Sequence, residues 1–203
     1  MLRVVESRDA SSIASIYAPY VEQTAITFEY VAPSAEEMES RIAKVSAAYP
    51  WIVAEEEGEV LGYAYASRYR ERAAYRWSLE TSIYVREDRR GRGLGRSLYG
   101  ALIPILRDLG IVTLYGAVTL PNPQSVALHA RFGFRPLCTY DRVGFKMGAW
   151  RDVGWMVLRL REQGDETAAD GGAPAEPVPF PDYVRSRPDS LRRWLDQSPR
   201  SRA

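Results

Sequence analysis

The sequence predicts an α/β fold, a mixed and mostly antiparallel sheet flanked by helices. Three stretches point there. Residues 49–67, "YPWIVAEEEGEVLGYAYAS", hold two β-rich runs around Glu57 and Gly58, the pattern of a hairpin. Residues 77–109 pass from a β-rich run through a glycine- and arginine-rich turn into apolar residues at helical spacing. Residues 111–160 read as a strand, a short helix and a closing strand pair.

In chain order, "MLRVVES" reads as a first strand through Leu2, Val4 and Val5. Asp9, Ser11 and Ser12 are N-cap types, and Ile13, Ile16, Tyr17 and Tyr20 follow at helical spacing. A second helix starts after Pro33 with a capping-box pattern from Ser34 to Glu37. The hairpin follows, then the strand "RWSLETSIYVRE". Along it, alternation sets Glu80, Ser82 and Tyr84 on one face and Thr81, Ile83 and Val85 on the other. The next helix carries Leu94, Leu98, Leu102, Ile105, Leu106 and Leu109 on its apolar face, with Pro104 expected to kink it. "IVTLYGAVT" is a strand and "PQSVALHARFG" a short helix closing at Gly133. Residues 134–160 form the final strand pair around a glycine-rich loop.

Residues 1–162 are read as one domain. Beyond them the composition becomes small, acidic and proline-rich, so 163–203 is expected to be a linker and an arginine-rich tail, flexible or a docking latch. Leu191, Trp194 and Leu195 would form the apolar face of a short helix in that latch. A hydrophobic share of 46% suits a packed core, and a net charge of +1 argues against general nucleic-acid binding. The single cysteine, Cys138, leaves no internal disulfide and fits a reducing compartment. No apolar run is long enough for a bilayer and the start lacks a signal-peptide core. The expectation is a cytoplasmic protein that meets neither membrane nor nucleic acid.

The turn "REDRRGRGLGRS" sits between strand and helix, where free backbone N–H groups and the helix dipole favour an anion. A P-loop needs G-x-x-x-x-G-K-[ST], and no lysine stands there. A dinucleotide fingerprint needs G-x-G-x-x-G, whereas Gly91, Gly93 and Gly95 give G-x-G-x-G. Arg90, Gly93 and Gly95 do satisfy R-x-x-G-x-G. A basic turn without ligand stays open on this motif alone. The motif resembles the pyrophosphate-binding turn of the GNAT N-acetyltransferases, whose co-substrate is acetyl-CoA. Asn122 after the following strand, His129 on the short helix and the "FGF" at its end match the order of that family. His129 is the one histidine in the chain.

The resemblance narrows to the phosphinothricin and methionine sulfoximine N-acetyltransferases over about residues 2–160. It is carried by "TFEY" from Thr27, "RERAAYRWSLETSIYV" from Arg70, "GLGRSLY" from Gly93, "LPNPQSVALH" from Leu120 and "VGFKMGAWRDVGW" from Val143. It implies a sheet splayed near Ile83, Tyr84 and Val85 to admit the pantetheine arm, with the Val85 N–H on the thioester carbonyl. It further implies cofactor contacts from Arg90, Gly91, Arg92, Gly93, Leu94, Gly95, Arg96 and Ser97, and from Asn122 and Ser125. Glu80 would be the general base and His129 a catalytic residue near the sulfur. Phe28, Arg70, Arg72 and Tyr75 would line the site of a small amino-acid substrate, with residues 144–150 over the pocket. Arg76 joins Arg70 and Arg72 in a cluster suited to anionic oxygens. Arg70 and Met147 depart from the residues common at those positions. No metal is implied, and a homodimer is. Other acceptors (aminoglycoside, polyamine, protein N-terminus), a non-catalytic acyl-CoA-binding regulator and an RNA-associated module are the rival readings.

Overall fold

A computed structural model describes residues 1–161 and 174–196. The expected linker falls largely on residues 162–173, outside the described residues, as do 197–203. The strands are β1 (Leu2–Val4), β2 (Trp51–Glu56), β3 (Glu59–Arg68), β4 (Ser78–Val85), β5 (Thr113–Thr119), β6 (Arg135–Lys146) and β7 (Ala149–Arg159). The helices are α1 (Ala10–Glu22), α2 (Ala35–Ser46), α3 (Leu94–Asp108), α4 (Pro123–Arg131), α5 (Phe180–Ser186) and α6 (Pro188–Leu195).

The strands form one sheet in the order β1-β2-β3-β4-β5-β7-β6. Every neighbouring pair is antiparallel except β4–β5. That parallel pair has three rungs, Ser78↔Thr113, Leu79↔Leu114 and Glu80↔Tyr115. Beyond them β4 keeps pairing with β3 up to Val85↔Gly62, while β5 keeps pairing with β7 up to Thr119↔Val153. The sheet therefore forks after Glu80, and residues 81–85 present one free edge.

Each face has its own core. On one, Trp51, Val53 and Tyr63 are buried beneath Ile13, Tyr17, Val21, Met38 and Ile42 of α1 and α2. On the other, Ile52, Ala64, Leu79, Leu114 and Met156 meet Leu98, Leu102, Ile105 and Leu106 of α3. All six apolar positions read on the α3 stripe are buried or packed against that core. Burial on this scale stabilises by about 1.5–3 kcal/mol per large side chain. Pro104 lies within α3, which runs unbroken from Leu94 to Asp108.

Two local readings change. Asp9 precedes α1 without capping it. Its carboxylate takes two bonds from Arg3, at 2.7 and 2.8 Å, and one from the Glu6 N–H at 2.8 Å. The closing strands are not parted by a long loop either. They run to a two-residue turn at Met147 and Gly148, with φ of 55° and 73°. The Lys146 side chain, 4% exposed, donates to the Val21 and Thr27 carbonyls. Those bonds pin the hairpin tip to the last turn of α1 and to the connection that follows it.

The C-terminal helices pack on α3. Phe180, Tyr183 and Leu191 are buried in the α3-side core. Asp108 accepts from Tyr183 Oη and from Trp194 Nε1, both at 2.8 Å.

Candidate active site

Glycine geometry builds one half of the site. Gly91 and Gly93 have φ of 76° and 82°, a region that Cβ-bearing residues avoid. Gly93 is the N-cap of α3, so the first-turn N–H groups of Leu94, Gly95 and Arg96 stand free for an anion. Ser97 turns inward, its N–H and hydroxyl both on the Gly93 carbonyl at 3.0 and 3.2 Å. A Cβ on Gly95 would lie 3.1 Å from Leu128, so glycine lets α4 approach the turn. Arg86, Arg89 and Arg90 are paired with nearby carboxylates. Arg92 and Arg96 have no ion pair among the described residues.

This turn forms one wall of a cleft of about 210 Å³. The free edge of β4 supplies Ile83 and Val85, and α4 with its cap supplies Asn122, Ser125 and Leu128. Asn122 Oδ1 accepts the Ser125 N–H at 3.1 Å, the bond that starts α4. A diphosphate at the turn with a thin apolar arm along the fork fits this cleft, the shape and charge that acetyl-CoA presents. Tyr20, which the sequence offered only as a core residue, lies in the cleft as well. Its hydroxyl donates to the Val85 carbonyl at 2.6 Å and accepts the Val85 N–H at 3.2 Å. The amide read as a donor to the thioester is thus engaged by Tyr20, whose ring lies under the Arg90 guanidinium at 4.8 Å.

Glu80 stands at the crotch of the fork, on the face opposite Thr81. It is half-buried, and its carboxylate accepts no hydrogen bond among the described residues. Burial pushes its carboxyl above the ordinary value of 4.5, and the nearby Arg70 charge partly offsets this. Tyr69 stacks on Tyr115, the rung partner of Glu80, at 4.2 Å. Tyr75, 40% exposed, meets Tyr69 edge-on, and Arg70 lies over the Tyr69 ring at 5.1 Å. Arg72 is exposed on the same connection, its carbonyl accepting the Tyr75 N–H at 3.0 Å. Phe28 lies across Gly144, where a Cβ would come within 2.2 Å of the ring. The cluster read from the sequence loses Arg76. That side chain pairs with Glu176 at 2.7 Å and stacks on Trp77 at 3.9 Å. A partner one hundred positions downstream leaves no local signal.

Tyr84 turns toward α1, edge-on to Tyr17 and Tyr20. His129 is 3% exposed and does not line the cleft; its Nε2 meets Tyr99 of α3, and its Nδ1 meets Ser125, which does line it. A larger cavity, about 520 Å³, lies between α2 and strands β2–β4. Its wall includes Ser67, the cross-strand partner of Glu80.

Residues 2–155 match the sequence profile described as Acetyltransferase (GNAT) domain. The chain belongs to the GNAT acetyltransferases. Among the similar members is a phosphinothricin N-acetyltransferase from Alcaligenes faecalis. It is 42% identical over 168 residues, covering 82% of this chain and 85% of that protein. An L-methionine sulfoximine/L-methionine sulfone acetyltransferase from Pseudomonas paraeruginosa is 40% identical over 119 residues, 58% of this chain and 69% of that one. Among solved structures, a phosphinothricin acetyltransferase from Sinorhizobium meliloti in complex with AcCoA superimposes with a TM-score of 0.80 at 36% identity. It covers 86% of this chain and 95% of that one. As a GNAT enzyme the chain is an acetyl-CoA-dependent N-acetyltransferase, and the forked sheet is the GNAT fold that its residues predict. No helix among the described residues is long and apolar enough to cross a membrane.

Proposed function

We propose that this GNAT enzyme acetylates the α-amino group of a small amino acid of the phosphinothricin or methionine sulfoximine type. The observation that carries the reading is the position of Glu80. The carboxylate sits where β4 and β5 part, within reach of the Arg70 charge and three residues before Ile83 in the cleft wall.

The turn at residues 91–97, with Arg92 and Arg96, holds the diphosphate of acetyl-CoA, and the fork receives its thioester end. The substrate carboxylate and tetrahedral group are held by Arg70 and Arg72, with Tyr75 and Phe28 against its apolar part. Glu80 takes one proton from the substrate ammonium, a transfer its raised pKa favours. The freed amine attacks the thioester carbonyl, the carbon–sulfur bond breaks, and a second proton passes from the nitrogen to the departing thiolate, giving the amide and the free thiol. Holding both reactants at one fork contributes about 7–11 kcal/mol to lowering the barrier, and the base about 10²–10⁴-fold in rate. Tyr20 withdraws from Val85 as the thioester enters, freeing that N–H for the developing oxyanion. The active unit is a homodimer that covers the exposed side chains of Leu137, Val143, Phe145 and Trp150 on β6 and β7, each about half exposed in the single chain.

The test is thiol release from acetyl-CoA with a panel of phosphinothricin, its demethyl form, methionine sulfoximine, methionine sulfone, an aminoglycoside and a polyamine. Preference for the first four supports the assignment. Preference for a polycation, or silence on the first four, overturns the substrate class and leaves the enzyme class intact.

A further inference from the structure

The lone histidine heads a buried hydrogen-bonded chain that ends at the fork. His129 Nδ1 lies 2.8 Å from the Ser125 carbonyl, and Nε2 lies 3.1 Å from Tyr99 Oη. Tyr99 Oη is 3.2 Å from Thr81 Oγ1, which reaches the Tyr115 carbonyl at 3.3 Å. His129, Tyr99 and Thr81 are 3%, 0% and 5% exposed. Thr81 is the residue after Glu80, and Tyr115 is the β5 partner of Glu80 on the last rung before the strands part. The chain thus ties α4 and α3 to both prongs of the fork.

Counting hydrogens shows how it is set. Nδ1 has two neighbours, the Ser125 carbonyl at 2.8 Å and the Ser125 hydroxyl at 3.4 Å; the nearer one only accepts, so Nδ1 carries the imidazole hydrogen. Burial lowers the pKa of His129 and favours the neutral ring, so Nε2 is the acceptor. The hydrogen in the contact with Tyr99 is therefore the phenol's. Tyr99 has only lone pairs left for Thr81, and Thr81 has one hydrogen for two acceptors. Three contacts share two hydrogens. A proton on Nε2 would supply the third, reverse Tyr99 and leave Thr81 donating wholly to Tyr115. The groups that face the ring are the Ser125 hydroxyl and carbonyl from its own helix, Tyr99 from α3, Gly116 from β5, and Phe134 with its centroid 5.0 Å away. The charged group acting on the chain is Glu80, through Tyr99.

We propose that Tyr99 and Thr81 are positioning residues of the acetyl-transfer site: they set the fork and the Glu80 carboxylate, and His129 acts through them and not on the reacting atoms. This rests on the reading of Glu80 as the base.

The experiment uses the full chain without a histidine tag. Tyr99→Phe and Thr81→Val keep shape and remove a hydroxyl, Thr81→Ser keeps the hydroxyl, and His129→Gln is combined with Tyr99→Phe. Expected are a fall in kcat of about tenfold for each lost hydroxyl, with acetyl-CoA affinity within about twofold of wild type. Thr81→Ser restores most of the rate. His129→Gln adds no further loss on the Tyr99→Phe background, because the two lie on one path. Losses that multiply, or Thr81→Ser as slow as Thr81→Val, overturn the proposal. Should Tyr99→Phe fail to fold, the Thr81 pair decides.

An activity-free readout separates the two readings. The chain has one histidine, so its imidazole ¹⁵N signals need no assignment. The Nδ1-protonated tautomer, altered by Tyr99→Phe, is expected. A ring that titrates like a solvated histidine, or ignores Tyr99→Phe, sinks the chain even if transfer is confirmed. If Glu80→Gln turns over normally while the imidazole behaves as expected, the base reading fails and the buried chain stands.

Discussion

Glu80 is held where an ionised carboxylate is least comfortable, half-buried and without a hydrogen bond to its side chain among the described residues. Two consequences follow at the residue scale. Glu80→Gln is expected to lower kcat about 10²–10⁴-fold with acetyl-CoA affinity little changed, measured by steady-state kinetics and equilibrium binding. In the wild type, kcat/KM should fall on the acid side with a midpoint above 4.5, because the base must be ionised and its native pKa is raised. Stability moves the other way. A carboxyl with a raised native pKa is destabilising when ionised, so Glu80→Gln should melt higher at neutral pH. The difference should shrink as pH falls through the native pKa, since wild type then takes up a proton preferentially when folded. Equal melting temperatures across that range would contradict the burial of the charge. Gly116 offers a second case, because a Cβ there would lie 2.6 Å from His129 Nε2. Gly116→Ala is expected to cost about 1–3 kcal/mol in urea unfolding, as overpacking does in a filled core.

At the element scale, the parts with local causes were legible. The hairpin turn falls at Glu57 and Gly58 as read, with φ of 51° and 83°; the glycine suits that region, and Glu57 adopts it with the turn. The alternation along "LETSIYV" sends Tyr84 to the α1 side and Thr81 to the α3 side. The helix start at Ser34 is made by its hydroxyl accepting the Glu37 N–H at 3.2 Å. Asn122 caps α4 in the same way, and Asn122→Ala should remove about 1 kcal/mol of stability. Because α4 carries both Ser125 in the cleft and His129 beneath it, the same change should raise KM for acetyl-CoA. An unchanged KM beside a lowered melting temperature would mean that the cap is structural only. What had no local cause was missed. Nothing near Tyr20 marks it as the partner of Val85, sixty-five positions on, and nothing near Tyr99 marks it as the partner of His129. Hydroxyls of core tyrosines read as bulk until the fold shows what they reach.

The whole molecule is completed by residues that lie beyond the family match at residue 155. Tyr183 and Trp194 both close on Asp108, with Phe180, Tyr183 and Leu191 filling the α3-side core. Asp108→Ala should lower stability by about 2–3 kcal/mol, since two donors to a charged acceptor lose their partner. The sequence left this segment between linker and latch because its apolar residues are few and the face that receives them is built elsewhere. The exposed β6–β7 surface gives a prediction at the same scale. Sedimentation should show a dimer, and Phe145→Glu with Trp150→Glu should shift it toward monomer, whereas a monomeric wild type would refute the homodimer. The fork itself separates two stretches of chain that hardly interleave: β1 to β4 come from residues 2–85 and β5 to β7 from residues 113–159. Each stretch pairs mainly with itself, and among the described residues three rungs join them. The prongs around Glu80 come into register only where these two stretches meet. The reaction centre is therefore a seam between two halves of the chain, and neither half alone gives Glu80 its rung partner.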